Sequence, residues 1–331
     1  MNVISRKTEF NIIASKETIM QTIVPDQVDD IYSRIANMLR QEIDYMKSDY
    51  WKKCHTTPDA ETCDTETLQD TIRCGVGTNF RSEMVNWCYR IVDYRKMNPE
   101  TVEIAVNYLD RYLGTPKGSE ALLDRSQYQL ATMGALYTAA KIHEPELFDS
   151  NLVSQLSRGL YGTSEINEME SAILSSLDWK LNPPTSAAFS REFLLLIPVE
   201  VLDQYTIDAV IAVTKLQTEL AVREYSYFSV SPSRLAFCSF LNALESLVLD
   251  VKVQECVGSV LGLLLDIDRH DDTIIRIRNE LRHSVLEKTS ETNKHQAKHS
   301  TIRSRILSGK AGGDRRPTKI RCLSVAAFQA S

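Results

Sequence analysis

Arg81 and Asp110 are a guanidinium and a carboxylate, each set inside an otherwise apolar helical pattern. Arg81 has Met84, Val85, Cys88 and Ile91 near its face, and Asp110 lies beside Ala105, Val106, Leu109 and Leu113. If the two helices run antiparallel across the short stretch between them, the charges can meet as a bidentate ion pair. Such a pair orients helices more than it stabilises them, and removing one partner strands the other at about 3–5 kcal/mol. The same pattern admits two boundary charges that face solvent. Lys141 and Glu170 are a second candidate pair. Each has apolar neighbours on one side and polar ones on the other, as a surface-rim pair that bonds a partner's backbone would have. A helix-end lysine favoured by the dipole, with a solvated glutamate, fits the same spacing.

Catalytic chemistry has less to work with. His143-Glu144 is not accompanied by a serine or cysteine arrangement that would make a triad, and acid–base chemistry needs a second positioned group. Asp266, Asp268, Asp271 and Asp272 crowd together but lack the glycine and terminal glutamate of a calcium loop, so capping and solvation account for them better. The seven cysteines (Cys54, Cys63, Cys74, Cys88, Cys238, Cys256 and Cys322) include no C-x-x-C pair, which argues against a zinc site and for buried or free thiols. No glycine-rich phosphate loop follows a strand pattern. The expectation is a chain with no catalytic residue, cofactor or metal of its own.

The elements that would position these residues are helical throughout. Val28, Ile31, Ile35, Leu39 and Ile43 form one apolar stripe in a first helix over about 26–45. A polar, threonine-rich linker follows at 55–64. Five helical segments then fall between Thr78 and Leu177, at about 79–94, 98–113, 125–141, 146–156 and 163–178. Asn98 reads as a cap with Pro99 at the first helical position, and Asp124 as the cap of the third segment. That third segment carries Ala131, Gly134, Ala135, Ala139 and Ala140, small residues that suit a central helix with close neighbours. Asn182-Pro183-Pro184-Thr185 breaks the chain as a domain boundary would. Five more segments follow at about 186–196, 202–224, 232–249, 251–265 and 271–286, which suggests an internal structural repeat.

The formal net charge of −6 hides an asymmetry. From Glu287 to Ser331 ten Lys or Arg face three acids, a surplus of seven, which leaves the rest of the chain at −13. An acidic body is a poor nucleic-acid binder, and the basic tail reads as disordered, with Arg315-Arg316-Pro317-Thr318-Lys319 as a candidate import signal. No apolar run has membrane-span length and no signal-like segment opens the chain, so the expectation is a soluble intracellular protein.

At the residue level the chain resembles the cyclin family. Phe80-Arg81-Ser82-Glu83-Met84-Val85-Asn86-Trp87 resembles the Met-Arg-x-Ile-Leu-Val-Asp-Trp opening of the cyclin box. Asn107-Tyr108-Leu109-Asp110-Arg111-Tyr112-Leu113 resembles its Asn-Tyr-Leu-Asp-Arg-Phe-Leu segment. Thr138-Ala139-Ala140-Lys141-Ile142-His143-Glu144 is similar to the end of the third helix, and Glu170 with Ile173, Leu174, Leu177 and Trp179 to the fifth. Met38-Leu39-Arg40-Gln41-Glu42, with Tyr45 and Tyr50, resembles the N-terminal helix, and Tyr227 with Ser231-Pro232-Ser233 the start of the third helix of a second box. The resemblance covers about 25–287.

It implies an all-α fold of two tandem five-helix cyclin boxes with an additional N-terminal helix. The implied units are an extension (1–23), a first box with its preceding helix (24–181), a second box (182–287) and a basic tail (288–331). Five hallmark residues map onto Arg81, Asp110, Leu130, Lys141 and Glu170. Arg81 and Asp110 are the implied internal pair, Leu130 a core residue, and Lys141 and Glu170 the implied contacts with a cyclin-dependent kinase. The implied function is activation of that kinase in a heterodimer, in nucleus and cytoplasm, controlling cell-cycle progression, with neither nucleic acid nor membrane as partner. A transcription-factor scaffold with two cyclin folds is the alternative, disfavoured by the acidic body and the lack of a zinc ribbon. The implied docking patch for substrates or inhibitors comprises Phe80, Glu83, Trp87, Tyr128 and Gln129. It departs from the family pattern at Glu83, where an apolar residue is usual, and Asn86 replaces the usual aspartate. A charge at Glu83 would penalise a leucine-bearing docking peptide. Before the first box there is neither a Leu-x-Cys-x-Glu motif nor a destruction box.

Overall fold

The computed structural model describes residues 25–51, 75–145, 148–197, 202–246 and 251–288, and every regular element among them is helical. The residues before 25, the threonine-rich linker and the basic tail beyond 288 lie outside the described residues. The helices are α1 (Pro25–Asp44), α2 (Thr78–Arg95), α3 (Glu100–Leu113), α4 (Arg125–His143), α5 (Ser150–Leu156) and α6 (Thr163–Ser176). They continue as α7 (Ser186–Leu195), α8 (Gln204–Arg223), α9 (Pro232–Ser246), α10 (Val251–Leu265) and α11 (272–288). Short turns at Pro116–Ser119, Glu120–Leu122 and Tyr225–Tyr227 have no counterpart in the periodicity.

Side-chain caps set most of the starts. Asn98 Oδ1 accepts the Glu100 N–H at 3.1 Å, Asp124 accepts that of Ser126 at 3.0 Å, and Thr185 that of Ala188 at 3.0 Å. Each satisfies a backbone donor that the first turn would otherwise leave orphaned. Two expected boundaries shift for this reason. The fourth segment of the first unit begins at Ser150, not near 146, because Asp149 accepts the Leu152 N–H at 2.8 Å. Likewise α8 begins at Gln204, where Asp203 accepts the Thr206 N–H at 2.7 Å.

Two hydrophobic cores follow from the packing. In the first, α4 is surrounded: from Leu130 to Ala140 every residue is buried, and α3 and α6 lie against it. In the second, α9 plays that part, buried from Leu235 to Leu244 between α7, α8 and α10. A helix apolar or small on all sides belongs in the middle of a bundle. Ile31 and Ile35 of α1 are buried in the second core, against the residues of α7 and α9, although α1 precedes the first unit in sequence. Glu42 fixes that docking, accepting both the N–H and the hydroxyl of Ser233 at 2.7 Å and so capping α9 from outside. The apolar stripe of α1 ends before Ile43, which is exposed.

Gly134 of α4 is where α6 comes closest. A methyl group there would meet Met169 Cγ at 2.7 Å and Ile173 Cδ1 at 3.4 Å. Gly134→Val is therefore expected to cost about 2–3 kcal/mol by overpacking, despite the helix propensity gained over glycine. Urea denaturation monitored by circular dichroism checks this; an unchanged midpoint would refute the close approach.

Candidate functional site

The turn between α2 and α3 reverses the chain through Lys96, which sits in the left-handed region (φ 55°) and returns its N–H to the last carbonyls of α2. The two helices then run side by side, and Arg81 meets Asp110. Nη2 lies 2.9 Å from Oδ2 and Nε 3.3 Å from Oδ1, with the two side chains 2% and 0% exposed. The Tyr50 hydroxyl donates to Asp110 Oδ1 at 2.8 Å, and Lys47 Nζ lies 3.8 Å from Oδ2. Arg81 also donates from Nη1 to the Val222 carbonyl at 3.1 Å, on the last turn of α8. One guanidinium thus ties the first unit together internally and to the second.

Burial works against the charge of Arg81, but Asp110 and its hydrogen bonds outweigh burial and hold the guanidinium above its ordinary pKa. Burial, reinforced by the Asp110 charge, holds the Tyr50 hydroxyl well above its ordinary value, so it remains a donor. Burial draws the Lys47 ammonium down, partly offset by Asp110. Both cations lie near the Phe228 ring, at 5.1 Å for Lys47 and 5.9 Å for Arg81. Neither Tyr50, Lys47 nor the Val222 carbonyl had a signal in the sequence pattern that tied it to Asp110 or Arg81. Their partners are 60, 63 and 141 positions away.

The same end of α2 holds the second unit in two more places. Ser82 donates to the Arg223 carbonyl at 2.8 Å, and Asn86 Oδ1 accepts from Arg223 Nε at 2.9 Å. The Arg223 guanidinium lies 3.8 Å from the centre of the Tyr89 ring.

Lys141 and Glu170 form the second ion pair, at a surface. Lys141 Nζ reaches both carboxylate oxygens, at 3.1 and 3.2 Å, and lies 5.3 Å from the Tyr137 ring centre. Hydrogen bonding to Glu170 raises the Lys141 pKa. The Lys141 side chain is 54% exposed and that of Glu170 12%, so the ammonium remains open to solvent while the carboxylate is mostly covered. Leu130, about three turns earlier on α4, is buried in the core. Ile142 and Trp179 are exposed large apolar residues nearby in the chain, Trp179 at 69%. Asp178 and Trp179 both take left-handed backbone (φ 50° and 57°), an uncommon conformation for such residues. The strand of chain after them is strapped to the ends of α3 and α4. Arg111 donates to the Lys180 carbonyl at 2.8 Å, and Tyr108 and His143 both reach the Leu181 carbonyl.

His143 is accordingly spent on that strap, with the Tyr108 hydroxyl at 3.1 Å. Glu144 accepts from the Asn98 N–H and the Thr101 hydroxyl at the start of α3. In the acidic cluster, Asp268 accepts the His270 N–H at 2.8 Å and Asp271 the Thr273 N–H at 2.7 Å. No group of described side chains has the arrangement of a metal site, and no helix among the described residues is long and apolar enough to cross a membrane. Cys88, Cys238 and Cys256 are buried thiols; the other four cysteines lie outside the described residues.

Of the five patch residues, Tyr128 and Trp87 are buried, at 0% and 4% exposure, and so contribute little open wall. Phe80 and Gln129 are half-buried and Glu83 is exposed. Phe80 packs edge-on against Tyr128 at 5.7 Å, and the Arg125 guanidinium covers its ring at 5.3 Å.

Two helical units, each built round a buried central helix, are joined by a buried arginine, an arrangement similar to the fold of a solved cyclin. The X-ray structure of a viral cyclin from herpesvirus saimiri aligns with a TM-score of 0.52 at 15% identity, over 63% of this chain and 87% of that one. Residues 41–182 match the family model described as the cyclin N-terminal domain, and that segment is homologous to it. Similar proteins include Cyclin-A1-4 of Oryza sativa subsp. japonica, 27% identical over 177 residues, 53% of this chain and 47% of that protein. Cyclin-A3-2 of the same organism is 33% identical over 127 residues, 38% of this chain and 31% of its own. The G1/S-specific cyclin-E of Caenorhabditis briggsae is 31% identical over 122 residues, covering 36% and 22%. The chain spans less than half the length of these relatives.

Proposed function

We propose that the chain is a regulatory subunit that binds a cyclin-dependent serine/threonine kinase and shifts it to its active conformation, controlling cell-cycle progression. The observation that carries this reading is the half-open Lys141–Glu170 pair, with exposed Ile142 and Trp179 close by in the chain, in a segment homologous to cyclin N-terminal domains. An exposed ion pair, with exposed large apolar residues near it in the chain, suits a docking face that joins charge-assisted bonds to buried area. Activation is a population shift: a partner that binds the active kinase better raises its share and supplies no catalytic group. The test is recovery and activation of a kinase by the wild-type chain and by the Lys141→Ala, Glu170→Ala double variant. Equal recovery and equal activation would refute the interface.

Glu83 weakens docking of Arg-x-Leu peptides on the patch that Phe80 and Gln129 border, because a leucine inserted there would desolvate a carboxylate. Glu83→Leu is expected to tighten binding of such a peptide by about tenfold or more, the equivalent of about 1.4 kcal/mol. Fluorescence anisotropy with a labelled peptide checks this; equal affinity before and after the substitution contradicts it.

A further inference from the structure

The chain leaves the described structure beside a cleft. Lys288, the last described residue, feels the charges of Arg223, Glu219 and Asp93. Glu219 lines a partly open cavity of about 210 Å³ where α2 and α3 of the first unit meet α7, α8 and α9 of the second. Arg223 covers the ring of Tyr89, another lining residue, and Asp93 lies one turn beyond Tyr89 on α2. The exit point is therefore at the rim of the cavity. Pro99, Ala187, Leu194 and Ile211 are its open walls, half-buried or exposed, and the buried Tyr89 and Phe240 complete an apolar lining. Glu100, Glu103 and Glu219 stand in the same lining against Arg191 and Lys215, three carboxylates to two cations.

The sequence beyond 288 supplies a complementary segment. Its first large apolar residue is Ile302, followed by Arg303, Ser304, Arg305, Ile306 and Leu307. Residues four apart share a face in a strand and in a helix alike, so either conformation presents Ile302 and Ile306 together. Arg303 and Arg305 fall off that face, where a carboxylate rim can meet them. Apolar cavities of about 150 Å³ already hold a benzene ring. One of about 210 Å³ therefore takes the four side-chain carbons of an isoleucine, with the second at its mouth.

Reach favours this segment over a separate molecule. From Glu219 to Ile211 is two turns of α8, about 12 Å. Treated as a flexible chain, residues 289–301 span about 20 Å, which covers that distance. A tether matched to its span gives an effective concentration on the order of 1 mM. A segment with an affinity of only about 100 μM would then be docked about nine-tenths of the time.

We propose that Ile302–Leu307 of this chain's own basic tail docks in the cavity, with Ile302 and Ile306 against Leu194 and Ile211 and the arginines at the acidic rim. Both units contribute walls, so the docked tail clasps them together. The clasp stands independently of the kinase reading.

Photo-crosslinking of the full chain tests it, with benzoylphenylalanine in place of Leu307 so that both isoleucines stay. Digestion and mass spectrometry are expected to find the adduct within one molecule, on the peptides that carry Pro99, Leu194 or Ile211, at a yield independent of protein concentration. Ile302→Asp with Ile306→Asp removes about a hundredfold of affinity or more, so the yield should fall about tenfold. Ile211→Asp, at a position that is 45% exposed, should lower it from the other side. Absence of an adduct, adducts scattered over the surface, or adducts between two molecules overturn the proposal. A yield that the tail substitutions leave unchanged overturns it equally, whether or not Ile211→Asp folds.

Discussion

Asp110→Ala is expected to remove about 3–5 kcal/mol of folding stability, because it strands the buried Arg81 guanidinium. The carboxylate it deletes accepts two bonds from Arg81 and one from Tyr50, and Lys47 stands 3.8 Å away. Two cations and a phenol would be left around an empty position. Arg81, 2% exposed, would be left without its counter-ion. Asp110→Asn should cost nearly as much, since an amide restores one acceptor but not the charge. Tyr50→Phe removes only one bond and should cost about 1 kcal/mol. The pair Arg81→Met with Asp110→Leu should recover part of the loss, because no guanidinium is stranded, although Tyr50 and Lys47 still lose their acceptor. It cannot recover all, because Arg81 also holds the Val222 carbonyl of the second unit. Urea denaturation of the four variants at neutral pH checks the order; an Asp110→Ala loss below about 1 kcal/mol would contradict the buried network.

The Lys141→Ala, Glu170→Ala double variant is expected to lose about 2–4 kcal/mol of kinase binding, roughly 30- to 1,000-fold, as interface hot spots do. Its own folding should change by less than about 1 kcal/mol, because Lys141 is more than half exposed and solvent screens the bridge. That contrast separates a docking role from a structural one. Asp110 variants lose stability first and binding only as a consequence, whereas Lys141 and Glu170 variants should lose binding while remaining folded. Binding titrations alongside thermal unfolding read both quantities. A double variant that unfolds readily, or that binds as tightly as wild type, contradicts the assignment.

The sequence made the helices legible where local chemistry decides them. Asn98-Pro99 and Asp124 start α3 and α4 through side-chain bonds that depend on nearby residues only. The small residues of α4 mark it as central because close neighbours require them, and Gly134 against Met169 is the closest case. Arg81 and Asp110 stood out as charges in apolar surroundings, but pattern alone left solvent exposure equally open. What escaped was set by distant residues. Periodicity placed the apolar stripe on α1 but not the second core that receives it. Nothing local marks Tyr50 as a ligand of Asp110 or Glu42 as the cap of α9. Resemblance puts Trp87 and Tyr128 in a docking patch, yet packing takes both into the core.

The most direct test exchanges the two charges, Lys141→Glu with Glu170→Lys, and assays the phosphotransfer activity of the kinase that the wild-type chain captures. The exchange keeps an ion pair between α4 and α6 but presents the wrong charge at each position to a partner. The expected result is a stable, folded chain that neither captures nor activates the kinase. Activation equal to wild type, or a wild-type chain that captures no kinase at all, would contradict the account.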